Sequence, residues 1–216
     1  MIFEKYEVVA FDFDDTLVAT IKNVWNQHKH VALTEFGVTV TDEDMRRVWG
    51  RPLDEMVEDL YGHPFAVVEP HLIREKPNYP NEIFPESRDL LRKLRAAHKV
   101  IALITSTNTR SLTVDFSHNA IESDTFDHVF TIDDCEYRKP DKRVFDPLLS
   151  HGYSPEEVVY IGDAASDFFA ARNSGFDFIG IGSGLLSVVD FSQLDGWNAS
   201  GAHAVASIAE LNAQVQ

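Results

Sequence analysis

The 216-residue chain has little cysteine, no long hydrophobic run and few basic residues. Its single cysteine, Cys135, rules out a disulfide within the chain and favours a reducing compartment. The longest apolar runs have the length of a strand, far short of the roughly 20 residues that a membrane helix needs. Residues 1–7 lack the basic and apolar pattern of a secretory signal, so we expect a cytoplasmic protein with no membrane partner.

The charge of the chain is strongly one-sided. Nineteen lysines and arginines face 35 aspartates and glutamates, which gives a formal net charge of −16. Such a surface excludes nucleic acid and anionic lipid as expected partners. It would also repel a small anionic substrate, unless a bound cation reverses the local sign. The sequence does not indicate an oligomeric state.

Short apolar runs that end in polar residues predict the strands of a buried parallel sheet. The three clearest are residues 8–11, 100–104 and 158–161, with weaker candidates at 129–132 and 178–181. Helical patterns separate them at residues 86–97, 109–119, 142–149 and 166–173, and a last helix is expected at 202–215. This alternation predicts an α/β fold with right-handed crossovers.

One stretch interrupts the alternation. Residues 18–83 contain helical periodicity and no convincing strand. Two apolar stripes stop at Gly37 and Gly62, and Thr41-x-x-Asp44 is typical of a helix start between them. We therefore expect a small all-helical module in residues 18–83, inserted into an α/β domain made of residues 1–17 and 84–216.

Three carboxylates follow the first predicted strand, in Asp12-Phe13-Asp14-Asp15. In an extended chain Asp12 and Asp14 point to the same side, where their charges repel. Helix capping by Asp14 or Asp15 is the structural alternative. A hard cation relieves such repulsion, and Mg²⁺ combines one or two carboxylates with water and substrate phosphate.

Further polar residues follow the other predicted strands. Asp163 comes directly after the third strand, and Asp167 lies in the first turn of the next helix, where it could simply cap that helix. Thr105 ends the second strand before Ser106, at a helix start that suits an anion. Lys139 taken alone resembles a surface lysine. Because ligands bind beyond the carboxyl ends of parallel strands, we expect these residues at one edge of the sheet.

Together the motifs resemble those of the haloacid dehalogenase-like phosphohydrolase superfamily. Four segments occur in the family order: Asp12-x-Asp14-x-Thr16-Leu17, Thr105, Lys139-Pro140 and Gly162-Asp163-x-x-x-Asp167. The resemblance implies a Rossmann-like core with the first strand central, and a helical cap after the first motif. It also implies hydrolysis of a small phosphorylated metabolite, of the phosphoglycolate phosphatase type.

The resemblance also implies residue roles. Asp12 would be the nucleophile that forms an aspartyl-phosphate, and Asp14 would be the general acid and base. Thr105 and Lys139 would hold the transferred phosphoryl group. Mg²⁺ would be bound by Asp12, the Asp14 carbonyl and Asp163, with Asp167 in its inner or outer shell. Thr16, Ser106 and Arg51 are the expected substrate-binding residues.

Several alternatives stay open. A phosphomutase of the β-phosphoglucomutase type shares the cap, although such enzymes usually carry valine at the position of Thr16, and a phosphonatase would need a cap lysine as a Schiff base. Dehalogenases proper lack the counterpart of Asp14. A receiver domain or a silent binding protein would not explain the whole motif set. Arg51, in the loop Trp49-Gly50-Arg51-Pro52, could equally be a solvated arginine, and Gly180-x-Gly182-x-Gly184 has the wrong spacing for a dinucleotide loop.

Overall fold

A computed structural model describes residues 2–122, 124–199 and 201–215. The chain divides into two compact units. The core unit consists of Met1–Ala19 and Glu82–Gln216, and the helical insert consists of Thr20–Asn81. None of the described helices is both long and apolar enough to cross a membrane.

The elements follow one another along the chain in three groups. The core unit begins with β1 (Val8–Phe11) and β2 (Val18–Ala19). The helical insert contributes α1 (Ile21–Phe36), α2 (Asp42–Val48), α3 (Leu53–Tyr61) and α4 (Phe65–Glu75). The core unit continues with β3 (Glu82–Ile83), α5 (Pro85–Ala96), β4 (Val100–Ile104), α6 (Thr109–His118), β5 (His128–Phe130), α7 (Asp146–Leu149), β6 (Val158–Gly162), α8 (Ala165–Ser174), β7 (Asp177–Ile181), α9 (Val188–Ser192), β8 (His203–Val205) and α10 (Ile208–Ala213).

Strands of the core unit form a parallel sheet in the order β5-β4-β1-β6-β7-β8. The register pairs Phe11 of β1 with Leu103 of β4 on one side and with Ile161 of β6 on the other. Helices of the core unit pack on both faces, and successive strand residues enter opposite cores: Val9 and Phe11 one, Val8 and Ala10 the other. This burial on both faces explains the continuous apolar runs and confirms the α/β, Rossmann-like fold.

Helix boundaries follow the end signals of the sequence. Asn108 caps α6 by accepting a hydrogen bond from the backbone N–H of Ser111, and Thr41 and Asp44 form the expected capping box of α2. Gly37 and Gly62 end α1 and α3 with a φ of 66°, a backbone conformation that glycine adopts without steric cost.

The structure differs from the expectations in two segments. Residues 18–19 and 82–83, expected in the inserted module, form a two-residue antiparallel ladder that belongs to the core unit. The helix expected at 202–215 is wrong in its first part: His203–Val205 is strand β8, paired with β7, and the helix begins at Ile208. Pairing with the edge of β7 outweighs the local helix propensity of this alanine-rich segment.

Candidate active site

Three neighbouring strands bring the predicted polar residues to one edge of the sheet. Asp12 follows β1, Thr105 follows β4 and Asp163 follows β6, the strands on either side of β1. The pairing of β1 with β6 continues past the end of β1, where the Asp12 N–H donates to the Ile161 carbonyl at 2.8 Å. The carboxyl ends of parallel strands therefore place these side chains together.

Asp12, Asp163 and Asp167 form a carboxylate cluster. One oxygen from each lies within 4.8 Å of the others, a spacing suited to a metal ion. Asp12 and Asp167 are 6% and 1% exposed, so water screens their charges little. Asp167 Oδ2 also accepts a hydrogen bond from the Ala164 N–H at the start of α8, at 3.0 Å. Asp167 therefore caps its helix and joins the cluster as well.

Lys139 is buried against this cluster. Its Nζ donates to Asp12 Oδ1 and to Asp167 Oδ1, each at 2.6 Å, and to the Tyr160 hydroxyl at 2.9 Å. Only 8% of the side chain is exposed, so the alternative of a surface lysine is wrong. An ammonium group has three N–H donors, and here each has an acceptor.

Tyr160 is a site residue that the sequence analysis did not find. It lies in the middle of β6, and its hydroxyl donates to the Ile104 carbonyl at 3.0 Å while accepting from Lys139. The signal was present, because a tyrosine in a strand buried on both faces needs a hydrogen-bond partner for its hydroxyl. Which partner it finds depends on the fold.

Burial dominates the electrostatics of the cluster. It raises the pKa of Asp12, and the charges of Asp167 and Asp14 add to the rise while Lys139 opposes it. Burial, followed by the charges of Asp12, Asp167 and Asp15, holds the pKa of Asp163 well above its usual range. Burial alone would lower the pKa of Lys139, but Asp12 and Asp167 raise it well above its ordinary value. The carboxylates thus outnumber their one lysine partner.

Asp14 is not one of the three carboxylates of the cluster. Its Oδ2 accepts a hydrogen bond from Thr107 Oγ1 at 2.6 Å, and the Thr107 N–H donates to Thr105 Oγ1 at 3.0 Å. The turn after β4 therefore binds Asp14 directly. Thr107 lies between the predicted strand and the predicted helix, and the sequence analysis gave it no role.

The predicted substrate-binding residues differ in exposure. Ser106 is exposed, whereas Thr16 is fully buried and its hydroxyl has no hydrogen-bond partner within the described ranges. Arg51 lies between α2 and α3 of the helical insert, where its Nη1 donates to Asp59 Oδ2 at 2.7 Å. Glu55 lies 3.6 Å from the same guanidinium, so Arg51 already has acidic neighbours.

The fold and the carboxylate cluster define a Rossmann-like α/β protein with a candidate cation site at the carboxyl ends of its strands. A model of the haloacid dehalogenase-like hydrolase family matches residues 9–181, and the chain belongs to that family. It is 29% identical over 203 residues to a phosphoglycolate phosphatase from Chromobacterium violaceum, covering 82% of this chain and 86% of that protein. It is 25% identical over 187 residues to a putative pyrophosphatase, PpaX, from Clostridium perfringens, covering 81% and 83%.

Solved structures share the fold over nearly the whole chain. A putative β-phosphoglucomutase from Thermotoga maritima superposes with a TM-score of 0.77 at 24% identity, covering 97% of this chain and 100% of that one. At this identity the likeness extends to the fold alone.

Proposed function

We propose that this protein is a magnesium-dependent phosphatase that hydrolyses a small-molecule phosphate monoester through an aspartyl-phosphate. The observation that carries the proposal is the contact of Lys139 with Asp12 inside a buried carboxylate cluster. A nucleophile, a cation site and an ammonium group then lie within a few ångströms of one another. The phosphatases among the relatives support the same reaction class.

The donor set of the cluster fits Mg²⁺. Three carboxylates within 4.8 Å, with one lysine between two of them, carry an excess of negative charge that a hard divalent cation balances. Asp12, Asp163 and the Asp14 carbonyl would hold the ion, with Asp167 in its inner or outer shell. When bound, the ion neutralises charge on the transferred phosphoryl group.

Asp12 is the proposed nucleophile. Its carboxylate attacks phosphorus, the ester P–O bond breaks, and the phosphoryl group rests on Asp12 until water displaces it. Asp14 protonates the leaving oxygen in the first step and takes a proton from the attacking water in the second. The Thr107 hydroxyl, 2.6 Å from Asp14 Oδ2, orients that carboxyl group.

The turn after β4 and Lys139 are the proposed binding groups for the transferred phosphoryl group. Ser106 is exposed on that turn, and Thr105 anchors it by accepting the Thr107 N–H. Lys139 would turn one N–H donor toward a phosphoryl oxygen. Thr16, fully buried in the turn after Asp14, would act on the substrate only through the shape of that turn.

The helical insert is the proposed cap that selects the substrate. Arg51, on its exposed loop, would bind a second anionic group of the substrate. A small phosphorylated metabolite is the expected partner, and the net charge of −16 speaks against nucleic acid.

A phosphomutase is the second candidate, because the Asp12 and Asp14 pair serves both reactions. The mutase returns the phosphoryl group to a sugar and needs a bisphosphate activator, whereas a phosphatase releases inorganic phosphate without one.

A phosphonatase is the third candidate, and its cap lysine would come from Lys22, Lys29 or Lys76. Of these, Lys29 forms an ion pair with Asp42.

The test is release of inorganic phosphate from p-nitrophenyl phosphate and from a panel of phosphorylated metabolites. We expect turnover with Mg²⁺, none after chelation, and none in Asp12→Asn, whose fold is to be checked by circular dichroism and melting temperature. Full activity of Asp12→Asn would exclude this mechanism. Turnover only with an added sugar bisphosphate would favour the mutase.

A further inference from the structure

The run Gly180-x-Gly182-x-Gly184 is a sequence feature to which the proposed reaction assigns no role. It begins in β7 and continues into the loop before α9. Gly180 serves packing: a methyl group on its Cα would lie 2.9 Å from ring atoms of Phe191, which is fully buried. The last glycine of the run has a different neighbour.

Gly184 lies directly against the carboxylate of Asp163. A methyl group on its Cα would lie 2.9 Å from Asp163 Cγ, 3.1 Å from Asp163 Cβ, and closer still to Oδ2. Real Cβ atoms essentially never approach another atom within 3.0 Å. Gly184 is not among the described glycines with a positive φ, so its backbone would accept alanine. The obstacle to a side chain here is therefore the Asp163 carboxylate.

Ser183, the preceding residue, links the same loop to the acidic turn after β1. Ser183 Oγ donates to the Asp15 carbonyl at 2.7 Å. Two consecutive residues thus contact both parts of the proposed cation site, the turn that follows Asp12 and the side chain of Asp163. A shift of this loop away from Asp163 would stretch that hydrogen bond.

We propose that Gly184 is a positioning residue for Asp163, and that its missing side chain leaves the space in which this carboxylate faces Asp12 and Asp167. The inference rests on the proposed function, because the consequence is tighter binding of a divalent cation. Gly162 has the corresponding relation to Asp167: a methyl group there would lie 2.6 Å from Asp167 Cγ. Asp163 and Asp167 therefore each lie in contact with a glycine.

Ligand distances in a metal site are expected within about 0.2 Å of their usual values. A methyl group on Gly184 displaces the Asp163 carboxylate by more than that, so Asp163 would leave the ligand position. Changes to groups that orient a ligand weaken metal binding by roughly 10- to 100-fold. We expect Gly184→Ala to fall in that range.

The first experiment titrates Mg²⁺ into the full chain by calorimetry. Gly184→Ala should raise the Kd by at least about 10-fold relative to wild type. The matched control is Gly180→Ala, which meets Phe191 instead: it should lower the melting temperature and keep the wild-type Kd. A wild-type Kd in folded Gly184→Ala would overturn the proposal.

The second experiment is a double-mutant cycle in cation-free buffer, which also covers a variant that fails to fold. Gly184→Ala should lower the melting temperature of the wild type and leave that of Asp163→Ala unchanged, because the obstructing carboxylate is then gone. Equal losses in both backgrounds, or failure of Gly184→Ala/Asp163→Ala to fold, would overturn the proposal. If wild type binds no Mg²⁺, the proposed function fails, while the cycle still measures the contact between Gly184 and Asp163.

Discussion

Lys139 and Asp12 form a buried ion pair across 127 residues of sequence, with Nζ 2.6 Å from Oδ1 and each side chain 8% exposed. The same ammonium binds Asp167, so one lysine separates two carboxylates that would otherwise repel each other. Breaking a buried pair by removing one partner costs more than the pair contributes, because the remaining charge is left uncompensated. The effect of removing Lys139 on stability can therefore be measured without substrate.

Replacing Lys139 by methionine, which has a similar volume, should lower the free energy of unfolding by about 3–5 kcal/mol at pH 7 in cation-free buffer. Urea unfolding of wild type and variant at pH 7 measures the loss. Lys142→Met, at an exposed position nearby, is the control. Equal losses in the two variants would contradict the ion-pair account.

Tyr160→Phe removes one hydroxyl and keeps the packing of the ring against Phe145, whose centroid lies 4.8 Å away. The Ile104 carbonyl loses its donor and Lys139 loses an acceptor. We expect a stability loss of about 1–3 kcal/mol, and a kcat about tenfold lower with KM unchanged, because the ammonium is less well oriented. Steady-state kinetics on the wild type and the variant separate the two constants.

The control for this prediction is Tyr153→Phe, whose hydroxyl lies 3.0 Å from His128 Nε2, away from the carboxylate cluster. It should leave kcat unchanged. A wild-type kcat in Tyr160→Phe would show that the hydroxyl only stabilises the strand.

The sequence predicts the framework of the site better than its contacts. Buried parallel strands produce continuous apolar runs, so the positions of Asp12, Thr105 and Asp163 at one edge follow from local pattern and topology alone. The burial of Lys139 does not, because its acceptors lie on other strands and helices. The sequence analysis missed strand β8 because a run of three residues carries no measurable periodicity. It missed the contact of Gly184 with Asp163 because glycine spacing does not reveal which side chain lies across the loop.

Arg51→Ala should raise KM for a substrate with a second anionic group by about tenfold, and KM for p-nitrophenyl phosphate much less. The reason is that Arg51 is the proposed contact for that second group, while the proposed contacts of the phosphoryl group are core residues. Arg47→Ala is the matched control, because Arg47 donates to the same Asp59 carboxylate. An equal rise with both substrates, or the same rise in Arg47→Ala, would remove Arg51 from the selection of substrate.

His28 should make the stability of the helical insert depend on pH. The side chain is 3% exposed on α1, with Nδ1 3.0 Å from the Tyr61 hydroxyl, and burial lowers its pKa to about 4. In the unfolded chain the pKa is about 6.5. Because the folded state favours the neutral ring, its contribution to stability is complete above pH 6.5 and is lost as the pH falls toward 4, by about 3 kcal/mol in total.

His28→Asn keeps a donor for Tyr61 and does not titrate. Between pH 7.5 and pH 4.5, urea unfolding of this variant should therefore show a smaller loss of stability than that of the wild type. His30→Asn, at an exposed position of the same helix, should retain the wild-type pH dependence. If the pH profiles of His28→Asn and wild type coincide, another group causes the acid sensitivity.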